Sequence, residues 1–136
     1  MTDLVKLLER VRSATGRDRE LDRDIGLAIG GWELSEYATP NPTMMIVVDG
    51  DWYPDHPGSM YPAPTESIDA ALALTERVLP EKLFKLTNEF QGFWRACIGL
   101  TTGPVMRTAP LAIVAATLAA LIATPAGRTA IQGETK

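Results

Sequence analysis

A run of twenty residues without a charged side chain, 108–127, constrains the fold of this chain more than any other feature. Arg107 and Arg128 flank the run, and Pro110 suits the first turn of a helix over residues 109–124. A helix that is apolar on all sides must be buried on more than one side. A layer of a small sandwich buries only one face, so we expect a second burial partner. The first candidates are a homo-oligomer interface through residues 109–124 and a covering C-terminal tail.

A membrane span is the alternative interpretation of the same run, because about 20 apolar residues can cross a bilayer. However, eight of its residues are alanine, and leucine, isoleucine and valine together number only six. We therefore predict no membrane insertion. The opening MTDLVKLLER lacks the order of a signal peptide, and Cys97, the single cysteine, cannot form an internal disulfide. These features predict a cytoplasmic protein.

Three further helices are predicted from apolar spacing and from start and stop signals. The first runs from Leu4 to about Ser13, with apolar residues at helical spacing. The second runs from about Arg17 to Ile29 and ends at a glycine pair. The third follows Thr65, whose hydroxyl can cap its first turn, and ends before Pro80.

Two strand pairs are predicted between these helices. Residues 44–48 and 51–53 flank Asp49–Gly50, and an Asp-Gly pair between apolar runs is a strong hairpin signal. Residues 83–88 and 93–100 form the second pair, joined by a short loop. The prolines of residues 35–43 and 54–64 indicate loops, because proline supplies no donor to a ladder.

The element order is therefore α-α-β-β-α-β-β-α, which predicts an α+β fold with a small, mainly antiparallel sheet. A length of 136 residues suits a single domain over residues 1–136. We expect residues 125–136 to form a C-terminal tail that is a candidate for flexibility.

Three segments, in this order, resemble one family of proteins. They are DLVKLLERVRSATGRDRELDRDIGLAIG at 3–30, TESIDAALALTERVLPEKLFKL at 65–86 and TAPLAIVAATLAAL at 108–121. Together they resemble the small phage and prophage proteins described as the phage ABA-sandwich domain, although Pro64 stands where members usually have tyrosine. The resemblance implies a three-layer α-β-α sandwich and a phage or prophage origin, hence the cytoplasm of a bacterial host. It implies no catalytic residue and no cofactor.

The candidate site residues lie in and around the proline-rich loop. Trp52, Tyr53, His56 and Tyr61 could line a ligand or peptide pocket, although aromatic residues at strand spacing are more often core. His56 is the only histidine, and with Asp49, Asp51 and Asp55 it could hold a divalent ion in a small metal-dependent hydrolase. Solvated turn formers are the simpler interpretation, so we predict no metal site.

The charge pattern narrows the choice of partners. Residues 25–80 carry eight acidic groups against one base, and no basic stripe exists that could neutralise a run of phosphates. We therefore predict no nucleic-acid partner. The alternating charges of residues 17–24 predict neutralised surface ion pairs rather than acid–base chemistry. Our leading hypothesis is a non-catalytic, self-associating accessory protein of phage type.

Overall fold

The computed structural model describes residues 3–37, 43–56, 58–89 and 91–123. The helices are α1 (Leu4–Ser13), α2 (Arg19–Ile29), α3 (Ile68–Val78) and α4 (Ala109–Ala123). The strands are β1 (Glu33–Tyr37), β2 (Thr43–Val48), β3 (Asp51–Pro54), β4 (Phe84–Asn88), β5 (Trp94–Ile98) and β6 (Thr101–Thr102). The mixed α+β class and the predicted order of helices and strand groups are confirmed. The predicted tail, 125–136, lies outside the described residues.

The strands form two antiparallel sheets of three strands each, β1-β2-β3 and β4-β5-β6. The first connection is a tight turn in which Asp49 has a φ of 50° and Gly50 a φ of 88°. Positive φ at both central residues is the signature of a type I′ hairpin turn, so the predicted hairpin is confirmed. Neighbouring strands in each sheet are also neighbours along the chain, which keeps every described strand pairing local.

Two strands were not predicted. Residues 35–43 were expected to be a loop, but β1 covers residues 33–37 and pairs with β2, with Leu34 opposite Ile46. The prolines that suggested a loop lie at positions 40 and 42, beyond the end of β1. The second addition is β6, which follows a turn at Gly99–Leu100 and shortens the strand expected over residues 93–100.

The start of α3 differs from the prediction for an identifiable reason. Ser67 caps the helix, since its hydroxyl accepts a hydrogen bond from the Ala70 N–H at 3.1 Å. Thr65 was expected in that role, but its hydroxyl accepts a hydrogen bond from the Asp18 N–H at 2.9 Å. Thr65 therefore links the loop before α3 to the start of α2.

Helix α4 is the centre of the main core. It packs against β4–β6 on one side and against α1 and α3 on others. Twelve of its residues are buried, which accounts for the uncharged run in the sequence: Ala109, Pro110, Leu111, Ala112, Ile113, Val114, Ala115, Ala116, Thr117, Leu118, Ala120 and Leu121. Its one buried hydroxyl, on Thr117, lies 2.7 Å from that of Thr75 on α3.

A single chain does not test the predicted homo-oligomer interface through residues 109–124, which stays a prediction. The second burial partner that the apolar helix requires is supplied by the same chain, because α1, α3 and β4–β6 cover different sides of α4. The remaining residues of α4 are not fully buried: Ala119 and Ile122 are partly buried and Ala123 is exposed. Among the described residues, no helix combines the length and the apolar character needed to cross a membrane.

A second, smaller core lies between the first sheet and the helices. It consists of Trp32, Ile46, Val48 and Tyr61, with Leu27 and Tyr53 packed against it. Trp32 lies against α2 so closely that a Cβ at Gly26 would overlap its ring. Two large aromatic side chains, Trp32 and Tyr61, therefore fill much of this smaller core, whereas aliphatic side chains fill the main core around α4.

Candidate binding site

A polar clamp fastens the loop of residues 59–65 to helix α2. The Arg19 guanidinium donates hydrogen bonds to the carbonyl oxygens of Tyr61 at 2.7 Å and Ser59 at 3.0 Å, and a longer one to Pro62. The same guanidinium lies 4.2 Å from the centre of the Tyr61 ring, and the Tyr61 hydroxyl donates back to the Arg19 carbonyl at 3.1 Å. The loop is thus held by a charged group that few water molecules can reach.

Asp22 is the anionic half of this clamp and is fully buried. Its carboxylate accepts hydrogen bonds from Arg19 at 2.7 Å and from the Thr65 N–H at 2.7 Å. Burial raises the pKa of the Asp22 carboxyl above its ordinary value, while the bonds from Thr65 and Arg19 oppose that shift. The prediction of surface pairs in residues 17–24 is therefore wrong for Arg19–Asp22, which is a buried ion pair.

The clamped loop forms one wall of a cleft of about 450 Å³, which we name the α3 cleft. Helix α3 forms the second wall, and the end of β2 with the residues after α2 closes the third side. Most of the lining is apolar. The lining residues are Gly30, Trp32, Val48, Asp49, Pro62, Pro64, Ser67, Asp69, Ala70, Ala73, Leu74 and Arg77.

Three charged side chains border the α3 cleft, and the described residues offer none of them an ion-pair partner. They are Arg77, Asp69 and Asp49. The arginines of the first two helices and their junction behave differently, since several reach a carboxylate: Arg10 with Asp24, Arg17 with Glu66, Arg19 with Asp22 and Arg23 with Asp55. The charges around the cleft are left for solvent or for a ligand.

The glycine pair after α2 positions the cationic end of the α3 cleft. A Cβ at Gly31 would overlap the Arg77 guanidinium, so only the missing side chain lets that group lie against the backbone there. The Nε1 atom of Trp32 lies 3.0 Å from the place that a Cβ of Gly30 would occupy. Two nitrogen donors, on Arg77 and Trp32, therefore border the same end of the cleft.

The predicted aromatic residues do not form one pocket. Trp52 and Tyr53 are consecutive in β3, so their side chains point to opposite faces of the sheet. Tyr53 packs against the small core, whereas Trp52 is 47% exposed. His56 and Tyr61 do come together, in a second pocket of about 370 Å³ that Glu20, Arg23 and Asp55 also line.

The loop between β3 and α3 does not assemble the ligand set that the metal-dependent alternative requires. Asp55 accepts two hydrogen bonds from Arg23, at 2.8 and 3.2 Å, and His56 Nδ1 accepts one from the Gly58 N–H at 3.1 Å. Across the described residues, which include Asp49, Asp51, Asp55 and His56, no three histidine, cysteine or acidic side chains are grouped to hold an ion. Cys97 lies in the other sheet, with its sulfur 3.8 Å from the Thr102 hydroxyl.

Little in the amino-acid sequence indicated the α3 cleft. Arg77 was visible only as the single base within residues 25–80, and Trp32 only as an aromatic residue after a glycine pair. The acidic surroundings of Arg77 were the one signal that could have singled it out. Its proximity to Trp32 at one end of the cleft depends on how α3 packs near the end of α2, which no local pattern encodes.

Comparison with known proteins identifies no matching family model, no matching curated protein and no matching solved structure. The resemblance to the phage ABA-sandwich family therefore stays a prediction.

Proposed function

We propose that this protein is a small, non-catalytic binding protein and that the α3 cleft is its binding site. One observation carries the proposal: an apolar cleft of about 450 Å³ is bordered by an arginine and two carboxylates that lack ion-pair partners among the described residues. Ligand sites are typically concave, mostly apolar and equipped with a few placed polar groups. The α3 cleft has that composition and a volume in the usual range of about 300–1,000 Å³.

The walls of the α3 cleft are pre-formed. The loop wall is held by the buried Arg19–Asp22 pair, and Trp32 is confined between α2 and Tyr61, whose ring centre lies 5.6 Å away. A site that is already shaped loses less conformational entropy when a ligand enters. These contacts hold the walls of the cleft in place before a ligand enters.

Nile red, an uncharged dye that brightens in apolar surroundings, tests this proposal. We expect the dye to bind the wild-type protein and the Ala73→Leu variant to reduce its affinity at least fivefold, because the larger side chain fills the cleft. Ala123→Leu is the matched control, since Ala123 is an exposed alanine at the end of α4 and outside the cleft lining. Equal loss in both variants, or no binding to the wild type, would contradict the proposal.

The pocket that contains His56 and Tyr61 is a second candidate site. It brings together two of the four residues that the sequence singled out. Two of its charged groups, Arg23 and Asp55, are already engaged with each other. A His56→Ala variant that lost Nile red binding while Ala73→Leu kept it would transfer the proposal to this pocket.

The phage or prophage origin belongs to the same proposal and rests on the ordered resemblance of three segments in the sequence. A gene position among phage structural or lysogeny genes would support it, and a position in a metabolic operon would count against it. Self-association through residues 109–124 also stays a prediction. Light scattering on the purified protein measures it.

A further inference from the structure

The charged groups of the α3 cleft are arranged along its length. Asp69 lies in the first turn of α3 and Arg77 in the last, and both border the cleft. Eight residues of helix at a rise of about 1.5 Å per residue separate them by about 12 Å along the axis. Between them the α3 wall consists of Ala70, Ala73 and Leu74, which are small or apolar. One wall therefore has an acidic end, an apolar middle and a basic end.

We infer that the ligand of the α3 cleft is a short apolar peptide with free ends, its carboxylate at Arg77 and its ammonium at Asp69. This inference rests on the proposed function of the cleft. Extended peptide spans about 3.3 Å per residue, so a distance of about 12 Å corresponds to three or four residues. A ligand with only one charge would leave one end of the cleft without a counterion.

The basic end is suited to a carboxylate. An arginine guanidinium offers paired N–H donors that match the two oxygens of a carboxylate, and Trp32 contributes a further N–H donor at that end. The acidic end is suited to an amine, because Asp69 carries a carboxylate in the first turn of α3. The middle can take one aliphatic side chain between Leu74 and Val48, both of which are buried.

The test uses the tripeptide alanyl-leucyl-alanine and two modified forms, one amidated at the C-terminus and one acetylated at the N-terminus. Isothermal titration of the full-length protein should give the tightest binding for the unmodified peptide. We expect amidation to weaken binding at least tenfold and acetylation at least threefold, because each removes one charge from the ligand. These measurements require no variant.

Two substitutions assign each charge to its partner. Arg77→Ala should lower the affinity for the unmodified peptide at least tenfold. It should leave the affinity for the amidated peptide unchanged, because that peptide has no terminal carboxylate for Arg77 to contact. Asp69→Asn should lower the affinity for the unmodified peptide and leave the affinity for the acetylated peptide unchanged, because that peptide has no ammonium group for Asp69 to contact. Arg12→Ala and Asp51→Asn are the matched controls, because both residues are exposed and outside the cleft lining. Neither control should alter binding.

The outcomes separate this inference from the function on which it rests. Equal affinity for the three peptides would overturn the two-ended ligand and leave an apolar site. Nile red binding without peptide binding would overturn the peptide as ligand. Failure of Nile red to bind the wild type would overturn the proposed function itself.

Discussion

The two sheets of this protein are built alike but are attached to the helices in different ways. The second sheet, β4–β6, lies on α4 so closely that a Cβ at Gly103 would come within 2.7 Å of the Ala116 Cβ. The first sheet, β1–β3, meets the helices through a small cluster that includes Trp32 and Tyr61, beside the Arg19–Asp22 clamp. A continuous aliphatic contact closes the space between layers, whereas a few aromatic side chains and a polar loop leave clefts at their border. The first sheet is therefore the side suited to binding.

Matched truncations in the two cores test whether the first sheet is attached to the helices less strongly than the second, and should give the largest effects. Ile113 on α4 and Ile46 on β2 are both fully buried. We expect Ile113→Ala to lower the free energy of unfolding by about 4 kcal/mol and Ile46→Ala by about 2 kcal/mol, because the smaller cluster can collapse onto the cavity more easily. Urea unfolding measures both values. A larger loss for Ile46→Ala would show that the first sheet is not the weaker attachment.

Removal of the buried carboxylate should have the next largest effect. In Asp22→Ala, the Arg19 guanidinium and the Thr65 N–H lose a partner inside the protein. We expect the free energy of unfolding to fall by about 3 kcal/mol, the usual cost of leaving one half of a buried ion pair behind. Asp24→Ala, on the same helix, is the control, because its pair with Arg10 is partly exposed and worth at most about 1 kcal/mol. Similar losses in both variants would mean that the clamp adds nothing beyond a surface pair.

A small change at Gly26 connects the first core to the cleft. Its added Cβ in Gly26→Ala would overlap the Trp32 ring, so that the ring must move. We expect a loss of about 2 kcal/mol from overpacking, together with weaker Nile red binding in the α3 cleft. Gly16→Ala is the control, since nothing lies near an added Cβ there. Unchanged dye binding in Gly26→Ala would show that Trp32 does not shape the cleft.

The smallest expected effect is a pH dependence from Asp22. Its pKa is raised in the folded protein, so the folded state holds the proton more tightly than the unfolded chain. The stabilisation from this protonation is complete below the ordinary pKa of 3.8 and is lost as the pH rises through the raised pKa. The free energy of unfolding of the wild type minus that of Asp22→Asn should therefore fall as the pH rises from 4. A difference that grows with pH would contradict the conclusion that burial has a larger effect on the pKa of Asp22 than its hydrogen bonds do.

The difference between the two sheets also explains what could be predicted from the sequence. Helix α4, the Asp49–Gly50 turn and the ends of α1 are encoded by local patterns: an uncharged run, a turn dipeptide and apolar spacing. The order of elements followed from these patterns. The location of the cleft did not, because Trp32, Val48 and Arg77 belong to three segments that only tertiary packing brings together. The uncharged run indicated burial on several sides, but its composition does not say whether one chain can provide that burial.

A map of amide and indole chemical shifts during titration with alanyl-leucyl-alanine tests ligand binding in the α3 cleft most directly. We expect the largest changes at Gly31, the Trp32 indole N–H and the α3 residues Asp69–Arg77, while the shifts of α4 and the second sheet stay unchanged. Changes centred on His56 and Glu20, or spread over β4–β6, would contradict ligand binding in the α3 cleft.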